Sequence, residues 1–285
     1  MSKKTKHLLV RLLFFFSGFF LFYHPFAFLV RAAAAVFPKA SYLSYLKPTV
    51  HQPCLRMPFN WIIMPWMYSN FLQNPLYFFP FFLLALSFVF GPLFCGWVCP
   101  AGNLTEHISR VIPKSFQLEL RNLSYPQYLR YGFLLGFLLS PFLVRGSFCC
   151  FYCNFSFLQN LVDAAFGDFT GISYWFFGSI ITFLLWFFLL GIFAKGGRGW
   201  CNFLCPAGAF QGVFHWFGGK FPFTYGVKIS NEKCNHCSFC ADVCSTGALN
   251  FKGERISFNR HMCNACLDCK NVCPVGAIDY KKGNS

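Results

Sequence analysis

Four stretches of the chain stay apolar long enough to cross a bilayer, which takes about 20 residues of helix: 8–30, 76–94, 128–148 and 174–193. They predict four transmembrane helices. A fifth stretch, 57–71, is interrupted by Pro58, Pro65 and several polar residues and carries two tryptophans, a pattern that suits the membrane interface. The first run follows Lys3, Lys4 and Lys6 and precedes Ala32–Ala35, as a cleaved leader would. Its apolar part exceeds the roughly 7–15 residues of a leader core, so a retained span is expected. Beyond residue 225 the pattern changes to short, cysteine-punctuated segments. The expected organisation is an all-α membrane bundle over 1–225 and a small α+β domain over 226–285.

Composition agrees with a membrane protein. Apolar residues make up 56% of the 285, and charged residues 12%, against about 25% in soluble domains. The net charge of +15 would suit nucleic acid, but the basic residues flank the apolar runs, so none is expected as a partner. Four lie in residues 1–11 (Lys3, Lys4, Lys6, Arg11), four around the middle loop (Arg110, Lys114, Arg121, Arg130) and eleven from Lys195 onward. The opposite side has five: Arg31, Lys39, Lys47, Arg56 and Arg145. The positive-inside rule therefore puts both termini in the cytoplasm of a multi-pass protein of a bacterial inner membrane.

Sixteen cysteines remain, eight of them in the last 52 residues. Cys234, Cys237, Cys240 and Cys244 follow the spacing Cys-x2-Cys-x2-Cys-x3-Cys, and Cys263, Cys266, Cys269 and Cys273 repeat it. Thr246-Gly247-Ala248-Leu249 and Val275-Gly276-Ala277-Ile278 extend the duplication, and 251–258 reads as a hairpin. Three thiolates at this spacing curl around one face of an iron–sulfur cubane, and the fourth ligand comes from the other run. One [4Fe-4S] cluster is thus assigned to Cys234, Cys237, Cys240 and Cys273, the second to Cys263, Cys266, Cys269 and Cys244. A zinc module would use paired Cys-x2-Cys units, and cytosolic thiols stay reduced, which argues against disulfides. Residues 228–282 resemble a bacterial two-cluster ferredoxin, with Ser245 standing where the second run has Pro274. Such clusters carry single electrons, and no nucleophile–base–orienter set accompanies them.

A second repeat follows the second and fourth apolar runs: Cys95-x3-Cys99-Pro-Ala-Gly and Cys201-x3-Cys205-Pro-Ala-Gly. At i and i+4 the two cysteines of each pair share a face of a helical turn. Two pairs together offer four soft ligands for a further cluster or metal; the plainer reading is free thiols in apolar packing. Cys54, Cys149, Cys150 and Cys153 fall in the loops expected outside. Disulfides suit an oxidising periplasm there, and a metal or cluster relay toward an external acceptor is the alternative.

Four spans, the paired Cys-x3-Cys-Pro and the terminal ferredoxin together resemble the NapH family over nearly the whole chain. Members are membrane quinol dehydrogenase subunits associated with periplasmic nitrate reductase, and share a core with the larger NosR and CcoG proteins. The resemblance implies quinol as substrate, and electron delivery through a periplasmic ferredoxin-like subunit to a terminal reductase. The CcoG likeness implies a rival role, a redox factor for maturation of another metalloenzyme.

Three weaker signals remain. His24, beside Pro25, is the only histidine in a span; with no second one to pair with, haem b is not expected. Glu106 and His107 suit either proton exchange or a solvated helix start. Lys195-Gly196-Gly197-Arg198-Gly199 lacks the ending of a phosphate loop and reads as a basic turn facing lipid headgroups.

Overall fold

A computed structural model describes residues 3–37, 54–64, 72–120, 126–144, 152–174, 176–252 and 255–283. Cys149 and Cys150 lie outside the described residues, as do Lys39, Lys47, Arg121 and Arg145 of the charge count and positions 65–71 of the interfacial stretch. The described chain is largely helical, with two small two-stranded sheets.

The first apolar run folds as two helices, α1 (Lys3–Phe22) and α2 (Phe28–Val36). The break falls around Pro25, which has no N–H to continue a helix. Among the described residues α1 alone is long and apolar enough to cross a membrane by length and composition. The second run gives a 3-10 turn, Pro75–Phe78, leading into α4 (Phe79–Phe90), after α3 (Met57–Trp61) has contributed a single buried turn. The fourth gives α9 (Phe176–Thr182), preceded by α5 (Pro100–Ser109), α6 (Pro126–Val144), α7 (Asn154–Ala165) and α8 (Thr170–Tyr174). α9 continues with π-type winding over Phe183–Ile192. Pro75–Phe90 and Phe176–Ile192 are apolar but shorter than the ~20 residues of a full span. Of the four expected spans, the first is thus matched by a helix of spanning length, and the second and fourth by shorter apolar helices that lead into the cysteine motifs.

The duplication seen in the sequence has a packing counterpart. Each motif is followed by a helix that starts at its Cys-Pro, α5 after the first and α11 (Pro206–Gly218) after the second, which itself follows α10 (Gly199–Phe203). α11 packs on α4, and α5 packs on the π-wound segment after α9, so each repeat's trailing helix lies against the other's leading one. Thr105 Oγ1 donates to Gly197 O at 2.8 Å and Ser109 Oγ to Ala194 O at 2.9 Å on one side, while Ser87 Oγ reaches Gln211 Oε1 at 3.1 Å on the other. This exchange turns the two cysteine motifs face to face.

The last part of the chain carries β1 (Tyr225–Ile229), α12 (Phe239–Val243), β2 (Leu249–Lys252), β3 (Arg255–Phe258), α13 (Asp268–Val272) and β4 (Ile278–Lys282). β2 and β3 form the expected antiparallel hairpin, with Leu249 opposite Phe258. β1 pairs antiparallel with β4, Tyr225 opposite Lys282, and closes the unit end to end. Val227, Ala248, Leu249, Met262 and Ile278 form its core together with Cys240, Cys244 and Cys269.

Candidate iron–sulfur site

The two ferredoxin-type loops share an unusual backbone. His236 and Ser238 flank Cys237 with φ of 56° and 61°, and Ala265 and Leu267 flank Cys266 with φ of 52° and 62°. Left-handed conformations in non-glycine residues each cost of order 1–3 kcal/mol and persist where a site requires them. Here they curl each Cys-x2-Cys-x2-Cys so that its sulfurs turn inward. Backbone amides follow: Ala265 N–H donates to Cys263 Sγ at 3.4 Å, and Ala277 N–H to Cys273 Sγ at 3.3 Å.

The two cysteine runs lie close together: Cys240 feels Cys234 and Cys237 of its own run, and Cys269 feels Cys263 of its own run and Cys244 and Cys240 of the other. Cys244, Cys263, Cys266 and Cys269 line a void of about 20 Å³. Burial pushes the Cys240 thiol up to about 11 and the Cys263 thiol up to about 12. Thiols in such surroundings ionise fully when a metal supplies the compensating charge. Among the described residues no three His, Cys, Asp or Glu side chains are close enough to hold a single metal ion, and this holds for the ferredoxin cysteines too. A cubane, with iron at several corners, spreads its thiolates wider than one ion does.

Cys95, Cys99, Cys201 and Cys205 meet around an enclosed cavity of about 70 Å³, and Cys54 and Cys153 line the same cavity. The sequence reading sets these last two a membrane's width from the Cys-x3-Cys-Pro pairs. The fold overturns that separation, because the first turns of α3 and α7 bring Cys54 and Cys153 back against the motifs. Cys153 carries no disulfide. Arg56, Arg130 and Arg198 also line the cavity, at 6%, 7% and 1% exposure. The glycine of each Cys-Pro-Ala-Gly is explained by two of these guanidiniums. A Cβ at Gly102 would meet Arg198 Nη1 at 2.4 Å, and one at Gly208 would meet Arg130 Nη2 at 2.7 Å.

The cavity adjoins the ferredoxin-type unit, since Cys263 and Asn264 form part of its wall. A Cβ at Gly96 would lie 2.2 Å from Asn264 O, so the first motif and the second ferredoxin loop touch backbone to backbone. Trp97 Nε1 donates to Ala265 O at 3.0 Å, Arg130 Nη1 to His261 O at 2.9 Å and Tyr280 Oη to Phe90 O at 2.7 Å across the same junction.

A buried charge network locks that junction. Glu106, fully buried, accepts from Arg11 at 2.8 and 2.9 Å, from Arg198 Nε at 2.7 Å and from Arg110 at 2.5 Å. Arg11 also reaches Asp268 Oδ2 at 2.8 Å, between the ligand-spaced Cys266 and Cys269, and His7 pairs with Asp268 at 3.0 Å. Burial alone would raise the Glu106 carboxyl, but Arg11, Arg198 and Arg110 outweigh it and hold it well below the usual range. Glu106 is therefore a fixed anion, which corrects the solvated or proton-exchanging reading. Gly197 backs onto Thr105 and Glu106, and Gly196 onto Ser245. The Lys195–Gly199 run is thus a packed junction, its glycines needed for backbone contact, and it does not face lipid through Arg198. His24 pairs its Nδ1 with Asp163 at 2.9 Å. Reading residues singly missed Arg11 and Arg198. The available signal was Arg11 itself, a charge three residues past the start of an apolar run, where an ionisable group calls for a buried partner.

His215, on α11 beside the same junction, has a pH consequence. Burial, then Arg260 and His261, pull it down from 6.5 to about 3. The unfolded chain accepts a proton near pH 6.5 that the folded chain refuses, so stability is full above that pH and falls as pH drops toward 3. Denaturant unfolding at pH 7.5 and 5.5 is expected to show the loss, and His215→Phe to reduce it. An equal loss in the variant would remove His215 as its source.

Comparison with known proteins adds the chemical identity of these units. The family model described as a 4Fe-4S binding domain matches twice, at 75–119 and 176–224, and a 4Fe-4S dicluster domain matches at 233–277. The chain is 29% identical over 171 residues to an uncharacterised protein of Methanocaldococcus jannaschii, covering 57% of this chain and 62% of that one. It is 29% identical over 153 residues to the ferredoxin-type protein NapH of Escherichia coli K12, covering 53% and 47%. With the methylamine utilization ferredoxin-type protein MauN of Methylorubrum extorquens it shares 30% over 155 residues, covering 54% and 48%. The aligned parts thus span about half to three-fifths of these relatives' lengths. No solved structure matches.

The fold and its thiol groups define an iron–sulfur electron-transfer protein assembled from ferredoxin-type units. Within that class the chain is similar to the NapH-type polyferredoxins, the NapH and MauN proteins among them.

Proposed function

We propose that the protein oxidises a membrane quinol and conducts its electrons, one at a time, through thiolate-held clusters toward a partner. Quinol gives up two electrons and two protons to become quinone; the protons pass to water at the membrane surface, and each [4Fe-4S] cluster takes one electron. In this reading residues 1–225 form a four-span membrane domain with both termini cytoplasmic, and 226–285 carry two [4Fe-4S] clusters. Cys234, Cys237, Cys240 and Cys273 hold one, and Cys263, Cys266, Cys269 and Cys244 the other. A ferredoxin-like subunit and a periplasmic reductase are the acceptors, as the NapH relatives suggest.

The observation that carries the reading is a chain of shared walls. A pocket of about 510 Å³ is lined by Tyr128, Phe133, Phe137, Tyr152 and Trp200, with Gly132 and Gly136 leaving its floor open. That size and aromatic lining suit a flat lipophilic ring. Arg56 lines both this pocket and the six-cysteine cavity, and Cys263 lines both that cavity and the ferredoxin void. A ring in the pocket would sit one side chain from the cavity, and the cavity one thiol from the ferredoxin clusters.

Anaerobic mixing of the purified protein with a short-chain quinol tests the reading. Bleaching of the cluster absorbance with appearance of reduced-cluster paramagnetic resonance is expected. Reduction by dithionite with none by quinol would overturn it in favour of a maturation role.

A further inference from the structure

We infer that Cys54, Cys99, Cys153 and Cys205 hold a third iron–sulfur cluster in the cavity between the two Cys-x3-Cys-Pro motifs. The inference rests on the electron-transfer reading and assigns ligands that neither motif supplies by itself. Cys54 and Cys153 lie outside both segments matched by the 4Fe-4S binding domain, at 75–119 and 176–224.

Besides Cys263, six cysteines line the cavity, and the local backbone separates these into four and two. Cys54 Sγ accepts from Met57 N–H, Cys153 Sγ from Ser156 N–H and Cys205 Sγ from Gly208 N–H, each three residues on and each at 3.4 Å. Cys99 stands in the same relation to the amide of Gly102. All four sulfurs therefore face backbone donors at the start of a helical turn. Such N–H···S contacts stabilise negative charge on a cluster's thiolates and tune its potential. Cys95 behaves otherwise: its Sγ lies 3.4 Å from Gln211 Oε1, an acceptor, so it is held as a protonated thiol. Cys201 takes its hydrogen bond from the Arg198 side chain, outside the backbone pattern that the other four share.

Two independent features fit a cluster there. Arg56, Arg130 and Arg198 line the cavity, and three guanidiniums balance the net negative charge of a four-thiolate cluster. Tyr23 is fully buried, packs against Phe155 with ring centres 5.4 Å apart, and feels Cys99 and Cys153; its hydroxyl has no hydrogen-bond partner among the described residues. A buried hydroxyl left so costs of order 1–3 kcal/mol. A cluster sulfide or ligand sulfur beside Cys99 and Cys153 would accept from it.

Iron and acid-labile sulfide counts, with paramagnetic resonance of the dithionite-reduced protein, provide the test on anaerobically purified full-length chain. About twelve iron atoms are expected in the wild type, three cubanes of four. Cys54→Ala and Cys153→Ala are expected to fall to about eight while keeping the interacting signals of the ferredoxin pair, which reports that the fold survives. Cys95→Ala and Cys201→Ala, equally set in the cavity wall, are expected to keep twelve. About eight iron in the wild type would overturn the inference, as would loss in Cys95→Ala and Cys201→Ala with retention in Cys54→Ala and Cys153→Ala. The outcomes separate from those of the function: twelve iron without reduction by quinol removes the quinol reading and leaves the site, and eight iron with such reduction does the reverse.

Discussion

Glu106→Gln is expected to destabilise the protein by about 3–5 kcal/mol, the range for removing one partner from a buried ion pair. The carboxylate is fully buried, and the guanidiniums of Arg11 and Arg198 on it are 0% and 1% exposed. Glutamine keeps the shape and removes the charge, leaving Arg11 and Arg110 with Asp268 and Arg198 with no carboxylate among the described residues. The damage should spread to the first cysteine motif. Arg198 Nη1 donates to Cys95 O at 2.7 Å and Arg11 Nη2 to Gly96 O at 3.0 Å, so the arginines that Glu106 holds also hold the motif's carbonyls. Denaturant unfolding in detergent measures the loss. Because Glu106, Arg11 and Arg198 are buried, the loss should persist at about 0.5 M salt, where exposed pairs are screened. A change under about 1 kcal/mol, the range of exposed pairs, would show that water reaches the carboxylate.

The second large effect is on the proposed quinol pocket. Gly136→Trp is expected to slow cluster reduction by a short-chain quinol by about 100-fold, some 2.7 kcal/mol, comparable with the apolar burial of one ring. An added Cβ at Gly136, as at Gly132, meets nothing within 4 Å, so the indole can enter the pocket without displacing its walls. Iron content, dithionite reduction and unfolding should match the wild type, which distinguishes a blocked site from a damaged protein. An unchanged quinol rate with the same iron content would exclude this pocket as the site of oxidation.

The parts of the protein that were legible before folding are those written locally. The ferredoxin-type loops repeat their cysteine spacing within a few residues, and the backbone repeats it as paired left-handed residues at His236 and Ser238, Ala265 and Leu267. The hairpin of 251–258 was readable for the same reason. Pairing of β1 with β4 was not, because it joins positions 49 to 57 residues apart through unremarkable sequence. The end of the second apolar helix was less legible: apolar content runs straight through residues 91–99, so hydropathy does not register that the backbone has already turned into the first cysteine motif.

The candidate site divides the same way. That Cys95, Cys99, Cys201 and Cys205 belong to a duplication was visible, whereas their relation to Cys54 and Cys153 was not. Loops assigned to the far side by counting spans are returned to the centre by the first turns of α3 and α7. Lone charges told a similar story: Arg11, Arg130 and Arg198 counted as flanking positive charge, yet each is buried against the opposite repeat or the ferredoxin-type unit.

What the sequence by itself determined is the chemistry: soft thiolate ligands in ferredoxin spacing, a duplicated Cys-Pro-Ala-Gly and an apolar body, each a matter of residue type over short distances. Tertiary structure alone decided which thiols share a cavity, which arginines face them and that the ferredoxin-type unit abuts the membrane motifs. The physical reason is that such meetings depend on how two repeats exchange helices, and on burial that lets one carboxylate hold three guanidiniums. Neither is encoded in any single stretch of chain.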